Sequence, residues 1–408
     1  QTSGKQSRQY NSHGCFYTRV TGIWQTVWME AFSPRGIKQC SIIPDFDGDR
    51  FCFQPVFYNE YNGYSFRAIV MEGKVQVAQS TVPASSGKTC SVHLHTPHAW
   101  SPSDPFLYEL LLQVLDDQGR VIDEVQSYAG MRKIHIEGNH LYLNNDPVYL
   151  RFALHQGYYP RGVYTAASQN DYKRDIQLAK RAGFNGVRCH EKIFDPRFHY
   201  WADRLGFLTW VESPALGRSV GNIEFARNFL SEWREVVVRD RNHPSIIAWV
   251  PFNETHGPKT GDMQQHNRLV RDAYDLTKQL DPTRPINDAS GRYHIKTDLW
   301  SVHIYRKTPV EMYEMLKGGS ADSVYTFSPE YESRYSGQPY FVDEYGGIKW
   351  VKGEPYAENS WGWGEVDSID VFYEQLEALT DVILSFDYIN GFCYTQLYDV
   401  EQEQNGIY

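Results

Sequence analysis

The 408-residue sequence contains no lysine- and arginine-rich run, and its formal net charge is −10. Nucleic-acid binding needs a basic surface, so this charge excludes nucleic acid as an expected partner. No apolar stretch reaches about 18 residues, so no membrane-spanning helix is expected. The six cysteines show no CxxC spacing and are too few for a disulfide scaffold. We therefore predict no metal site and no cofactor from them.

Aromatic residues, in contrast, are plentiful, with 29 Tyr, 21 Phe and 11 Trp in a chain that is 41% hydrophobic. Aromatic rings dominate ordinary cores, and most of these residues need no other explanation. Rings in excess of packing needs also suit a protein that stacks the flat apolar faces of sugars. The length allows two or three domains.

Between residues 14 and 128 the pattern is that of an all-β structure, with short alternating apolar runs separated by turn residues. Runs of this kind occupy 22–30, 51–57 and 107–114, and the spacing predicts a sandwich. The chain starts at Gln1 with a polar stretch and no signal pattern, so we expect a mature or partial product. We interpret 1–32 as the last strands of an upstream domain and 33–130 as a complete sandwich.

From residue 131 to 408 short apolar strands alternate with helical periods, which is typical of an α/β domain. Eight strands within roughly 250 residues predict a single (β/α)₈ barrel. The predicted strands are 147–152, 184–189, 207–212, a strand that ends at 253–254, 285–289, 299–304, 340–344 and 391–397.

Two of these strands end in a glutamate, Glu254 after the fourth and Glu344 in the seventh. The carboxyl ends of barrel strands collect the active site, so a pair of carboxylates there suggests glycoside hydrolysis. A retaining enzyme needs a protonated carboxyl and an attacking carboxylate about 5–5.5 Å apart. We assign Glu254 as general acid/base, because the amide of Asn253 could hold the sugar 2-hydroxyl, and Glu344 as nucleophile. Taken alone, an Asn-Glu pair is more often a capping or surface feature.

The chain resembles family 2 glycoside hydrolases, which include β-galactosidases, β-glucuronidases and β-mannosidases. The segments that carry the resemblance are GIWQ with VWME at 22–30, FNGVR at 184–188, and RNHPS at 241–245 leading to Asn253 and Glu254. The resemblance implies the end of a jelly-roll sugar-binding domain at 1–32, an immunoglobulin-like sandwich at 33–130 and a catalytic barrel at 131–408. It also favours, by itself, a periplasmic or secreted enzyme.

Further residues are candidates for substrate binding. The resemblance implies that Arg188 lies near the nucleophile and that Tyr305 hydrogen-bonds to it. His155 and His303 follow or end barrel strands and could bind sugar hydroxyls, although a lone histidine is equally often a packing residue. Trp361 lies after the seventh strand with two further tryptophans, where it could stack on the sugar or simply pack the loop.

The sequence departs from its resemblance in two places. No histidine follows Glu212, where several β-galactosidases have a metal-binding Glu-x-His pair, so we predict no metal there. The stretch 401–407 lacks the Asn-x-Lys pair of β-glucuronidases and is acidic, which disfavours uronic acids. We predict a retaining, β-galactosidase-like exo-β-glycosidase acting on a neutral carbohydrate. Another family 2 specificity (β-mannosidase, β-glucuronidase), an endo-acting enzyme, a non-catalytic carbohydrate-binding relative and a homo-oligomer all stay open.

Overall fold

The computed structural model describes residues 2–215, 220–319, 323–353 and 359–408. Seven antiparallel strands build a sandwich, with the sheet orders β1-β2-β5 and β4-β3-β6-β7. Alternate side chains of β2 point inward, so Phe51, Phe53 and Phe57 enter the space between the sheets, where the Phe57 ring lies against Phe66 of β3. The strands are β1 (Ile37–Asp45), β2 (Arg50–Phe57), β3 (Ser65–Glu72), β4 (Val75–Pro83), β5 (Cys90–His93), β6 (Tyr108–Leu115) and β7 (Val121–Ala129).

A small antiparallel sheet connects the sandwich to the barrel and corrects the predicted first barrel strand. It consists of β8 (Ile134–Glu137), β9 (His140–Leu143) and β10 (Asp146–Pro147). Asn144 and Asn145 both adopt positive φ, the conformation that a two-residue hairpin turn requires. The chain after this turn pairs back on β9, so the barrel strand starts later than predicted, at Leu150.

The C-terminal part is a (β/α)₈ barrel. Seven parallel strands lie in the order β14-β13-β12-β11-β21-β18-β17, and α-helices follow most of them. The elements are β11 (Leu150–His155), α1 (Gln169–Arg181), β12 (Gly186–Cys189), α2 (Pro196–Leu205), β13 (Leu208–Glu212), α3 (Ile223–Asp240), β14 (Ile246–Val250), β15 (Phe252–Asn253), a 3₁₀ helix (Gly257–Thr260), α4 (Met263–Leu280), β16 (Ala289–Ser290), β17 (Trp300–Ile304), α5 (Pro309–Leu316), β18 (Tyr340–Gly346), β19 (Ile348–Lys349), β20 (Gly364–Glu365), α6 (Ile369–Leu384) and β21 (Ile389–Thr395).

The fifth barrel strand is shorter than the predicted strand 285–289. It is formed by the short pairing of β15 with β16 and by a bridge between Trp249 and Ile286. Pro285 has no N–H to donate, and the Ile286 N–H donates to the side chain of Asp298 rather than to a strand. The ladder is therefore brief here, yet it closes the gap between β14 and β17.

Residues 2–36 contain isolated bridges but no strand, so the run 22–30 is not extended into a sheet in the described structure. Part of this segment lies over the carboxyl-end face of the barrel. The Tyr17 hydroxyl donates to Glu403 at 2.6 Å, and Trp361 Nε1 donates to the carbonyl of Gly14 at 2.7 Å. The assignment of 1–32 to a jelly roll stays a prediction. Among the described residues, no helix is both long and apolar enough to cross a bilayer.

Candidate active site

Glu254 and Glu344 meet at the carboxyl ends of the barrel strands. Glu254 follows β15 with a positive φ of 41°, and Glu344 lies within β18. A carboxylate oxygen of each glutamate and a ring nitrogen of His303 all lie within 4.8 Å of one another. The structure therefore places both glutamates in one site with His303 between them.

Arg188, at the end of β12, is fully buried and organises this site. Its Nη2 lies 2.9 Å from Glu344 Oε1 and donates to Asn253 Oδ1 at 2.7 Å. Its Nε donates to Glu212 Oε2 at 2.7 Å. The guanidinium uses its planar donors on several acceptors at once, which fixes their relative positions.

Glu344 is held at both oxygens. Arg188 contacts Oε1, and the hydroxyl of Tyr305 donates to Oε2 at 2.5 Å. Burial, together with the negative charge of Glu344, raises the pKa of Tyr305 well above its usual value, so its hydroxyl stays a donor. Trp363 stacks on the Tyr305 ring with centroids 4.0 Å apart. The orientation of the Glu344 carboxylate is thus fixed by a separate partner at each oxygen.

Glu254 is held at one oxygen. Its Oε1 lies 2.7 Å from His303 Nδ1 and accepts from Arg292 Nη2 at 2.9 Å. Burial would raise the pKa of Glu254, but the hydrogen bond and charge of His303, followed by the charges of Arg292 and Lys5, lower it well below its usual range.

His303 links the acidic side chains. Its Nδ1 faces Glu254, while its Nε2 lies 3.3 Å from Asp343 Oδ1 and 3.0 Å from the hydroxyl of Ser290. Burial would lower the pKa of His303, but Glu344, Asp343 and Glu254 together raise it to about 10. Burial would raise the pKa of Asp343, but His303 and Arg188 lower it to about 2. His303 is therefore positively charged at neutral pH.

His190, Glu191 and Glu212 form a second cluster of side chains next to the one that contains Glu254, His303 and Glu344. Their ligand atoms are close enough to one another to hold a metal ion. Arg188 already contacts this cluster, at 2.7 Å from Glu212 and 3.1 Å from His190. Burial and the charges of Lys5 and Arg188 lower the pKa of His190 to about 3. Since cationic side chains already neutralise this cluster, it does not fit a divalent ion.

Two predicted binding residues lie outside this cluster. His155 is buried between β11 and the helices, where its Nδ1 accepts from the N–H of Gly157 at 2.9 Å and its Nε2 lies 3.2 Å from Asp175. Trp361 bonds to Gly14 and lies edge-on to Trp363 at 6.0 Å. The structure brings Asn253, Arg188, Tyr305 and His303 to the two glutamates, and does not bring His155.

Other residues of the site were not predicted from the sequence. Ser290 ends the short strand β16 and Arg292 lies two residues beyond it, whereas the sequence pattern placed this strand at 285–289. Lys5 comes from the N-terminal segment; burial would lower its pKa, but Cys15, Glu191 and Glu403 raise it. Trp363, noted only beside Trp361, is the tryptophan that reaches Tyr305. A charged residue within a few positions of each strand end is the signal that could have found Arg292.

An antiparallel sandwich followed by a (β/α)₈ barrel, with paired glutamates at the carboxyl ends of its strands, defines a barrel protein of the glycoside hydrolase class. The sequence matches the domain described as "Glycosyl hydrolases family 2, TIM barrel domain" over residues 134–349, and "Glycosyl hydrolases family 2" over 65–132. The chain belongs to glycosyl hydrolase family 2, as its motifs predicted.

Relatives of two specificities are similar to this chain. A β-galactosidase of Pseudoalteromonas haloplanktis is 26% identical over 294 residues, which are 67% of this chain and 27% of that protein. A β-glucuronidase of Ruminococcus gnavus, solved with D-glucuronic acid, superposes with a TM-score of 0.75 at 19% identity, over 92% of this chain and 65% of that one. A β-D-glucuronidase of Dictyoglomus thermophilum gives 0.71 at 20% identity, over 89% and 62%. The chain thus spans about a quarter of the length of its curated galactosidase relative.

Proposed function

We propose that this protein is a retaining exo-β-glycosidase that removes terminal neutral β-linked sugars, with a β-galactosidase-like specificity. The observation that carries the proposal is the approach of Glu254 and Glu344, whose nearest oxygens lie within 4.8 Å. This spacing suits direct attack by a carboxylate, whereas an inverting pair stands about 6.5–9.5 Å apart to admit a water. Domain assignments of 1–32, 33–130 and 131–408 belong to the same proposal.

In the first step a Glu344 oxygen attacks the anomeric carbon while the bond to the leaving oxygen breaks and Glu254 gives that oxygen its proton. In the second step a water attacks the same carbon, gives a proton to Glu254 and releases Glu344. Arg188 and Tyr305 orient the attacking carboxylate. Asn253, held by Arg188, is placed to bind the sugar 2-hydroxyl.

A neutral sugar is favoured by the acidic side chains of the pocket wall. Glu403 and Glu191 are buried beside the glutamate pair. A uronate would meet these carboxyls as well as Glu344. The runner-up is a β-glucuronidase, which Lys5 favours because it brings one cation toward Glu191, Glu403 and Glu344. The N-terminal segment that carries Lys5 narrows one side of the mouth, which supports exo action.

The proposal is tested with a panel of aryl β-glycosides, including galactoside, glucoside, mannoside and glucuronide, followed by the 2-fluoro analogue of the best substrate. We expect the galactoside to be turned over and the trapped label to lie on Glu344 in the peptide map. Glu254→Ala should lower kcat/KM by about 10²–10⁴-fold on poor leaving groups, spare good ones, and be rescued by azide.

Glu235→Ala, on the outer surface of α3, is the matched control and should behave as wild type. A label on any other residue would contradict the nucleophile assignment. Absence of turnover on every glycoside would favour the non-catalytic, carbohydrate-binding alternative, and preference for the glucuronide would favour the runner-up.

A further inference from the structure

The contacts of Glu254 conflict with its proposed role. A general acid must arrive at the reaction carrying a proton, but Arg292 and His303 both bind Glu254 Oε1 and favour its charged form. The other charged groups that face it are Lys5 from the N-terminal segment and Glu344 from β18. Something in the bound complex must therefore weaken the hold of these cations.

Of the two cations in contact with Glu254, only Arg292 is free to leave. The His303 side chain is 4% exposed and is fixed on its other side by Asp343 and Ser290. The Arg292 side chain is 29% exposed, and the Glu254 side chain is 28% exposed. A group that enters from solvent can reach the guanidinium, whereas His303 stays in place.

Arg292 also lies where the departing sugar must be. The leaving oxygen comes within about 3 Å of the Glu254 carboxyl, so it lies within roughly 8 Å of the Arg292 guanidinium. That guanidinium stands 5.0 Å from the ring centroid of Phe327, whose side chain is 38% exposed. Tyr293 supports Phe327 edge-on at 5.2 Å. A cation beside an exposed aromatic ring is a suitable surface for an acidic sugar.

The charges at the barrel rim favour the leaving-group side for an anionic group. On the glycone side, the cation Lys5 is already engaged by Glu191, Glu403 and Glu344. Cations follow the fourth, fifth and sixth strands, although the whole chain has a net charge of −10. In addition to Arg292, the cations that follow these strands are Lys259, Arg306 and Lys307, and all three are exposed. An anionic group on the leaving sugar would be attracted by these exposed cations.

We propose that Arg292 forms a subsite for an anionic group, a carboxylate or a sulfate ester, on the leaving sugar, and that this group draws Arg292 away from Glu254. The proton then passes from His303 Nδ1 to Glu254 Oε1 and on to the leaving oxygen as its bond to the anomeric carbon breaks. The water of the second step returns a proton to Glu254, which passes it back to His303 Nδ1 and so restores the starting state. This inference rests on the proposed glycosidase function.

The test compares aryl β-glycosides that share the preferred glycone and differ in the leaving group: 4-carboxyphenyl, 4-sulfophenyl and the neutral 4-carbamoylphenyl. We expect wild type to favour the anionic leaving groups. Arg292→Gln should lower the anionic-to-neutral ratio of kcat/KM about tenfold, the size of one charge-assisted hydrogen bond, and Arg292→Lys should retain most of it. A larger loss on the carboxylate indicates a uronate-type partner, and a larger loss on the sulfonate a sulfated one.

A second readout is the pH profile on the neutral substrate. Removal of the Arg292 charge favours the protonated form of Glu254, so the basic limb of kcat/KM should move to higher pH in Arg292→Gln. Arg271→Gln, an equal charge change on the exposed side of α4, should match wild type in both readouts. Turnover with an unchanged ratio overturns the Arg292 subsite alone. No turnover of any glycoside overturns the glycosidase proposal, and the subsite with it.

Discussion

The two glutamates differ in how many of their oxygens are restrained. Glu344 is bound at both, by Arg188 and by Tyr305, whereas the contacts of Glu254 converge on Oε1. A nucleophile has to be aimed, so restraint of both oxygens suits attack on one carbon. An acid/base has to exchange a proton twice in each cycle, so a side chain that is 28% exposed and a titratable neighbour suit that task. The restraint of both Glu344 oxygens is therefore a second, independent argument for its proposed role as nucleophile.

His303 makes this site sensitive to alkaline pH. Its pKa is raised from 6.5 to about 10, so the folded state keeps a proton that the unfolded chain releases. The stabilisation is complete below pH 6.5 and disappears as pH rises through about 10. We expect the free energy of unfolding, measured in urea at pH 7, 8, 9 and 10, to fall by a few kcal/mol in wild type.

The variant His303→Asn should show a flatter dependence over the same range, because it has no such proton to lose. His95→Asn, at an exposed histidine of the sandwich, should keep the slope of wild type. Equal slopes in all three proteins would show that His303 is neutral in the folded state.

At the scale of elements, the helices were predictable because their boundaries are set by adjacent residues. Asp195 caps α2 and Gly206, with φ of 62°, ends it, and these are residue types that mark the start and the end of a helix in a sequence. The first and fifth barrel strands were predicted imperfectly because distant partners decide them: β9 takes the chain that precedes Leu150, and Asp298 takes the Ile286 N–H. Arg292 was not predicted because it follows the fifth strand, whose end the sequence pattern did not locate.

Gly291, directly after β16, leaves room for the imidazole ring of His303 because it has no side chain. A Cβ at Gly291 would lie 2.4–2.5 Å from ring atoms of His303, and its φ is 75°. Gly291→Ala should therefore push the imidazole away from Glu254 and lower kcat/KM about 10²-fold, as expected for a displacement on the order of 1 Å. Gly337→Ala is the matched control, because Gly337 also has positive φ, of 96°, but a Cβ there meets nothing within 4 Å.

Both glycine variants should lose stability from backbone strain, as measured by thermal unfolding, with a larger loss in Gly291→Ala because of the contact with His303, and only Gly291→Ala should lose activity. Equal activity in the two would mean that the position of His303 is not critical to the reaction.

At the scale of the whole molecule, the sandwich and the barrel share buried polar contacts. Asp203 of α2 is fully buried, and its carboxylate accepts from Tyr128 of β7 at 2.7 Å, with His243 Nδ1 at 2.6 Å and the Ser245 N–H at 2.9 Å. Trp100 Nε1 donates to the carbonyl of Asp203 at 2.8 Å. The interface thus depends on a charge that both parts must keep hydrogen-bonded.

The hydroxyl of Tyr128 couples the two parts without approaching the glutamate pair. Tyr128→Phe leaves Asp203 with one donor fewer, so the free energy of unfolding should fall by about 1.5–3 kcal/mol, the contribution of a hydrogen bond to a charged group. Urea unfolding followed by fluorescence measures this, and kcat/KM on the best aryl glycoside should stay at the wild-type value. Tyr373→Phe, at an exposed tyrosine of α6, removes the same atom from the surface and should change stability by less than about 0.5 kcal/mol. If the two variants lose equal stability, the Tyr128–Asp203 contact does not hold the sandwich to the barrel; if Tyr128→Phe alone lowers kcat/KM, the sandwich acts on the site itself.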